Sequence, residues 1–307
     1  MPRPSRIASL LPSTTELVAA LGHGDRLVGR SHECDFPAEV GALPVISRPR
    51  REPVGASIDI HRSVVEMLTE VLSIYEVDAD ALRDCDPDLI ITQDLCRVCA
   101  VAESEVEEAA REHLDHPVEV LACSPMTLTE VLADVDRVAT AIGDRDAGRA
   151  LRAHLQDGFD AVAAARRPAR PRTAVIEWVD PLMGCGNWAP ELVEIAGGTP
   201  VLAVSGGHTP FAPPEALAEA DPEVIVVGPC GYDLDRALQE RPLLEALPGW
   251  IDLTAVRTGR VAFLDGSAYL NRPGPRLLDT AQVLQAILHG EAPEAPGWCW
   301  MPAASGA

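Results

Sequence analysis

The sequence contains no lysine; all 25 basic residues are arginine, set against 47 acidic residues. The net charge of −22 excludes a surface for a nucleic-acid backbone or an anionic membrane, both of which select positive charge. No apolar run approaches the ~20 residues of a membrane span, so membrane insertion is not expected. No secretory leader is legible either. The apolar stretch Ile7–Leu11 ends at Pro12, short of the roughly 7–15 apolar residues that such a leader needs. As it stands the chain is expected in the cytoplasm, or in a periplasmic or other extracytoplasmic space if a leader has been removed. Its eight cysteines are then expected as thiols. Catalytic signatures are missing too: there is no Gly-x-Ser-x-Gly elbow, no metalloprotease histidine pair and no phosphate-cradling glycine pattern. A non-catalytic role is the expectation.

What is present is a phrase written twice. Ala81-Leu82 leads into Asp86-Pro87-Asp88-Leu89-Ile90-Ile91, and Ala216-Leu217 leads into Asp221-Pro222-Glu223-Val224-Ile225-Val226. Proline cannot continue a helix, so each copy reads as a helix end followed by a strand start. A short continuous Leu/Ile/Val run reads as a strand buried on both faces. One such unit in each half implies two similar α/β lobes with a cleft between them. The expected fold is α/β: two Rossmann-like lobes, each with a central, mostly parallel sheet, joined by a long backbone α-helix.

The alternation divides the chain into an N-terminal lobe (1–126), a helical connector (127–169), a C-terminal lobe (170–290) and an irregular tail (291–307). In the first lobe strands are expected at Arg6–Leu11, Leu27–Arg30, Leu89–Thr92 and Val118–Leu121. Ser13 or Thr14 is placed to cap a helix over Glu16–Leu21. Further helices are expected near Asp59–Leu72, Ala79–Arg83 and Glu103–His113. Ala150, Leu151, Leu155, Phe159 and Val162 put one apolar face on a helix over Asp146–Ala165, which suits a connecting strut. The second lobe reads as strands at Thr173–Val179, Val201–Val204, Val224–Val227 and Arg260–Leu264, with helices at Pro190–Ala196, Pro214–Ala220 and Arg276–His289. In the tail, Trp298, Cys299 and Trp300 suggest packing against something.

Open α/β sheets bind ligands beyond the carboxyl ends of their strands. Here those ends carry Pro12-Ser13-Thr14, His32-Glu33-Cys34, Gln93–Cys99, Cys123-Ser124, Asp180–Trp188, Ser205–Phe211, Cys230–Tyr232 and Ser267–Arg276. Cys96 and Cys99 have the spacing of a metal-chelating or redox pair, or are small cleft-lining thiols. A zinc site needs four ligands, and His32 and Cys34 join the pair only if the fold brings them near. His32 reads either as a ligand or as a hydrogen-bonded loop imidazole. Trp188, Phe211 and Tyr269, beside strand ends, suit the walls of a flat ligand site, whereas Trp178 inside a strand suits the core.

The segments Arg6-Ile-Ala-Ser-Leu-Leu-Pro-Ser-Thr-Thr-Glu16, Asp86–Ile91, Gly184-Cys-Gly-Asn-Trp188 and Arg272-Pro-Gly-Pro-Arg276 point to a known family. Over residues 5–290 the chain resembles the class III, helical-backbone substrate-binding proteins of ABC importers for cobalamin, haem and ferric siderophores. It looks closest to the cobalamin-binding branch, through Ser31–Pro37 and Gln93–Ala100. The resemblance implies non-catalytic binding of cobalamin or a related corrinoid between the lobes, for uptake, storage or hand-over. It implies ligand contacts from Pro12, Ser13, Thr14, His32, Gln93, Asp94, Leu95, Cys96, Gly186, Asn187, Trp188, Phe211, Tyr269, Asn271 and Arg272. It also implies an ABC permease as partner, docked through Glu103 and Glu215. Cys96, Cys99 and His32 are the candidate metal ligands, including to the cobalt of a corrinoid. The alternatives are a receptor of the same fold for haem, a ferric siderophore or a metal ion, and a thiol-dependent corrinoid enzyme.

Overall fold

A computed structural model describes residues 4–70, 74–93 and 103–301. The chain forms two compact units. The first comprises the described residues within Met1–Val54, Arg62–Pro125 and Thr129–Leu155, and the second those within Gly55–His61, Met126–Leu128 and Gln156–Ala307.

The first unit is built from β1 (Ile7–Ser9), α1 (Pro12–Ala20), β2 (Leu27–Ser31), β3 (Val45–Pro49), α2 (Ser57–Glu70), β4 (Tyr75–Val77), α3 (Ala79–Cys85), β5 (Leu89–Thr92), α4 (Glu103–His113), β6 (Glu119–Ala122), α5 (Leu128–Ala141) and α6 (Arg145–Ala164). α2 begins, and α6 ends, among residues of the second unit. The strands lie in the order β4-β3-β2-β1-β5-β6, all parallel except β4. Ala8, Ile90, Leu82, Ile46, Met67 and Val106 make one continuous core between the sheet and its helices.

The second unit contains β7 (Arg172–Ile176), α7 (Ala189–Ala196), β8 (Thr199–Val201), α8 (Ala216–Ala220), β9 (Val224–Val227), α9 (Leu234–Gln239), α10 (Arg241–Glu245), α11 (Thr254–Arg257), β10 (Val261–Leu264), α12 (Leu277–His289) and β11 (Trp298–Trp300). Its sheet order is β11-β10-β9-β7-β8, parallel except β11. β9 and β10 are buried at every position, as strands covered on both faces must be.

The repeated phrase has the same structure in both units. Asp86 ends α3 and Asp221 ends α8, each in the left-handed region (φ 42° and 38°) that aspartate tolerates better than most residues. Arg6 Nε donates to Asp86 O (2.9 Å), and Arg172 Nη2 donates to Asp221 O (2.7 Å). In return Asp88 Oδ1 accepts from Arg6 N–H (3.1 Å), and Glu223 Oε2 from Arg172 N–H (3.0 Å). The backbone closes the exchange, with Asp88 N–H donating to Arg6 O (2.9 Å) and Glu223 N–H to Arg172 O (2.8 Å). Each unit thus clasps its first strand to the strand after Asp-Pro.

Several local expectations change. β1 ends at Ser9 because Pro12 opens α1, and extended Leu11 is the N-cap with no side-chain bond. Ser13 and Thr14 therefore lie inside the first turn and do not cap it. β3 and β4 were not legible: β3 carries Ser47, Arg48 and Pro49 in place of a continuous apolar run, and β4 has three residues paired antiparallel with β3. β7 ends at Ile176 and not at Val179. β8 begins at Thr199 and stops where Leu202 takes φ +54°, not at Val204. The tail is not wholly irregular: Trp298–Trp300 pairs with β10, its two indoles edge to face at 5.7 Å.

Burial raises the Asp88 carboxyl, but the bonds from Ser5 and Arg6 outweigh it and hold its pKa below the ordinary 3.8. A depressed carboxyl adds stability that is complete above the unfolded-state value and is lost as pH falls through the folded one. Asp88→Asn is therefore expected to flatten the acid limb of the stability profile below about pH 4, measured as urea midpoint against pH. An unchanged acid limb would remove Asp88 from the clasp.

Candidate functional site

In the first sheet the chain leaves β1 for β2 on one side and returns to β5 on the other. That reversal makes the carboxyl ends of β1 and β5 the switch point where such sheets bind ligands. The region is unusually polar for a buried one. Ser9, Ser13, Thr14, Thr15, Glu16, Thr92 and Gln93 are all buried. Some of these groups are committed: Thr14 Oγ1 bonds Ser9 Oγ (2.8 Å) and Leu11 O (3.1 Å), and Thr15 Oγ1 bonds Leu11 O and Cys34 Sγ. Two are not. Among the described residues, Ser13 Oγ and Gln93 Oε1 have no hydrogen-bond partner, although they are buried in residues only 2% and 4% exposed. An orphaned buried polar atom costs about 1–3 kcal/mol, which a ligand supplying the missing bond would offset.

His32 follows β2 at the same sheet edge. Its Nδ1 is also buried and has no partner among the described residues, and its ring sits 4.9 Å from that of Tyr75. A metal-bound imidazole ordinarily donates its other N–H to an acceptor, and here the inner nitrogen has none. Among the described residues no group of three His, Cys, Asp or Glu side chains is gathered to hold a metal ion. Asp94, Leu95, Cys96 and Cys99 lie outside the described residues. Among the described residues, Cys34, Cys85, Cys123, Cys185, Cys230 and Cys299 form no disulfide, and the first four are buried.

The second sheet reverses between β7 and β9. After β7 the chain turns through a cis Asp180–Pro181 peptide into the Gly184–Trp188 loop. A Cβ on Gly184 would overlap the Leu202 carbonyl, and one on Gly186 would press on Gly207 and Thr209, so both positions demand glycine. Asn187 takes φ +50°; its N–H donates to Gly207 O (2.6 Å) and its carbonyl accepts from Gly206 N–H (3.0 Å). Its Oδ1 is, among the described residues, the third buried side-chain oxygen at a switch point without a partner.

The aromatics divide differently from their sequence reading. Trp188 and Tyr269 are buried (6% and 7% exposed), with Nε1 donating to Leu270 O and the phenol donating to Pro296 O. These rings brace the loops from behind. Phe211 is 64% exposed and meets His61 edge to face at 5.8 Å. Trp178 is not core: half-buried, it lies against Tyr232 with Nε1 on Asp180 O. Tyr269 and Asn271 belong to a single π-helical turn and its end, where Asn271 Nδ2 donates to Gly266 O (2.8 Å); Arg272 beyond it is buried beside Ser267. Glu103 opens α4 partly exposed, and Glu215 stands exposed before α8.

Sequence reading missed Glu177, which it placed inside a strand. The available signal was an acidic residue next to an otherwise apolar run, a position that only a strand end satisfies. Burial pushes its carboxyl up to about 7, against bonds from the Thr209 hydroxyl (2.5 Å) and Gly186 N–H. Gly184→Ala is expected to destabilise the protein by about 1–3 kcal/mol through overpacking, read by urea denaturation. Gly41→Ala, where a Cβ would meet nothing, serves as the neutral control. Equal midpoints for the two would refute the close approach at Gly184.

The profile of the periplasmic binding protein family matches residues 7–268. The vitamin B12-binding protein of Vibrio cholerae serotype O1 is 23% identical over 281 residues, spanning 90% of this chain and 86% of its own. An uncharacterized ABC transporter substrate-binding lipoprotein of Bacillus subtilis strain 168 is 23% identical over 295 residues, 93% of this chain and 80% of its own. The crystal structure of a periplasmic haem-binding protein from Pseudomonas aeruginosa superposes with a TM-score of 0.70 at 20% identity, covering 99% of this chain and all of that one (100%). Two mostly parallel sheets, the duplicated Asp-Pro unit and a family match over most of its length lead to one conclusion: the chain belongs to the periplasmic binding protein family, alongside the class III substrate-binding proteins of ABC transporters.

Proposed function

We propose that this chain binds cobalamin or a related corrinoid at its carboxyl-edge loops, without turning it over. The observation that carries the reading is that each unit's switch point holds buried neutral groups without a partner among the described residues: Ser13 Oγ and Gln93 Oε1 in the first, Asn187 Oδ1 in the second. A corrin ring is fringed with neutral acetamide and propionamide arms, which both donate and accept hydrogen bonds. Buried hydroxyl and amide groups match such arms without desolvating a charge. The similarity to a vitamin B12-binding protein supports the same ligand class.

Haem is the second reading, and buried Arg272 favours it, since a buried guanidinium suits a propionate. The haem-binding structure of similar fold supports it equally. Under either reading the partner is an ABC permease. The exposed carboxylate of Glu215 and the partly exposed one of Glu103 are available to arginines of such a partner. The names of the relatives support work outside the cytoplasm.

The test is a visible-absorbance titration with hydroxocobalamin, with calorimetry using cyanocobalamin and haemin in parallel. One-to-one saturation by cobalamin at micromolar or tighter affinity is expected. Ser13→Ala and Asn187→Ala, assayed separately, are each expected to weaken it about 5–10-fold, the loss of one hydrogen bond. Saturation by haemin alone would transfer the assignment to the second reading, and binding of neither would overturn both.

A further inference from the structure

Glu177 lies where three carboxyl-edge loops of the second unit meet. Thr209 Oγ1 donates to its Oε2 at 2.5 Å, and Gly186 N–H donates to the same carboxyl group. Its main chain is held as well: its N–H donates to Gly184 O (3.1 Å), and its carbonyl accepts from Cys230 N–H (3.0 Å). The carboxyl therefore pins the Gly184–Trp188 loop, at the residue before Asn187, to the Ser205–Phe211 loop. The main chain of Asn187 spans the same two loops through Gly206 and Gly207.

We propose that Glu177 is a positioning residue whose ionised carboxylate holds Asn187 in its binding geometry, so that ligand affinity falls when this carboxyl is protonated. The inference rests on the binding role proposed above for Asn187. An ionised carboxylate accepts both bonds at once, and charge-assisted bonds are roughly twice as strong as neutral ones. The neutral acid loses one acceptor oxygen, and its proton then competes for the Thr209 oxygen, reversing that bond. Burial places this change near neutrality, with the carboxyl pushed up to about 7.

The surrounding groups leave that role to Glu177. On its own loop, burial holds the Cys185 thiol far above its usual range, and the Glu177 charge raises it further, so it stays neutral. On the β9 loop, burial pushes the Tyr232 phenol up to about 12, with the Arg236 guanidinium 4.2 Å over its ring and Cys230 nearby. In the chain, Asp180 precedes the first pinned loop and His208 lies within the second. Below the midpoint the clasp is protonated and binding weakens as pH falls; above it affinity is level.

The experiment is calorimetric titration with cyanocobalamin, which carries no group titrating near neutrality, from about pH 5.5 to about 8.5. Wild-type affinity is expected to fall by up to about tenfold per pH unit below the midpoint, the limit for one linked proton. Glu177→Gln is expected to give a flat profile. Thr209→Val, lacking a bond that favours the ionised form, is expected to move the midpoint upward, and His208→Ala to keep the wild-type profile. A flat wild-type profile, or a Glu177→Gln profile that follows the wild type, overturns the proposal. Hydrogen exchange of the 184–188 amides without ligand provides an independent arm. Wild-type protection should rise with pH beyond the intrinsic exchange rate, and that rise should vanish in Glu177→Gln. If cyanocobalamin binds at no pH, the ligand assignment fails, while the exchange comparison still decides the role of Glu177.

Discussion

The structure depends on a reciprocal exchange between an arginine at the start of one strand and the Asp-Pro-acid sequence before its neighbour. Arg6 reaches the carbonyl of left-handed Asp86, and Asp88 answers with a carboxylate on the Arg6 amide. Arg172, Asp221 and Glu223 repeat the pattern. The strands so joined are β1 with β5 and β7 with β9, the two pairs that flank the switch points. The clasp fixes their amino ends and therefore their register. The register in turn fixes which residues emerge at the carboxyl ends, 3 to 4 residues further along β5 and β9. A polar contact at one edge of each sheet thereby positions the candidate site at the other.

The side-chain oxygens left without a partner at each edge, among the described residues, are neutral. The first unit presents one hydroxyl from the first turn of α1 and an amide just after β5, and the second presents an amide from a glycine-rich loop. Aromatic rings serve the second unit mainly as braces. Trp188 and Tyr269 bury their faces and tie their polar ends to main-chain carbonyls, so the loops carrying Asn187 and Arg272 rest on rigid supports. A site of few hydrogen bonds gains most from such supports, because less loop and side-chain freedom remains to be lost when a ligand arrives.

How much of this was legible in the sequence follows the range of the interaction responsible. The two Asp-Pro units were legible because proline and a left-handed aspartate act within a few residues. The buried strands β5 and β9 were legible because Leu89–Thr92 and Val224–Val227 carry an unbroken apolar signature. β4 and β11 were not, since Tyr75–Val77 and Trp298–Trp300 are strands only by virtue of the neighbours they pair with. Ser13 looked like a helix cap because it stands just before the helix expected over Glu16–Leu21; Pro12 opens the helix earlier, so extended Leu11 takes the cap position and the Ser13 oxygen has no partner among the described residues. The fate of the aromatics could not be read, because their burial depends on partners as distant as Leu270 and Pro296.

Glu177 marks the limit of local reading most clearly. Its neighbours in sequence, Ile176 and Trp178, say only that a strand ends there. What makes it distinctive is convergence: a hydroxyl from residue 209, an amide from residue 186 and a main-chain bond from residue 230 meet on one residue. Burial pushes the carboxyl up to about 7 against these bonds, which join it to both neighbouring loops. A glutamine would keep the shape and lose that titration. A carboxylate there carries a desolvation cost that a purely structural brace would not require. The cost is intelligible if the loop is meant to respond to its surroundings as well as to hold its form.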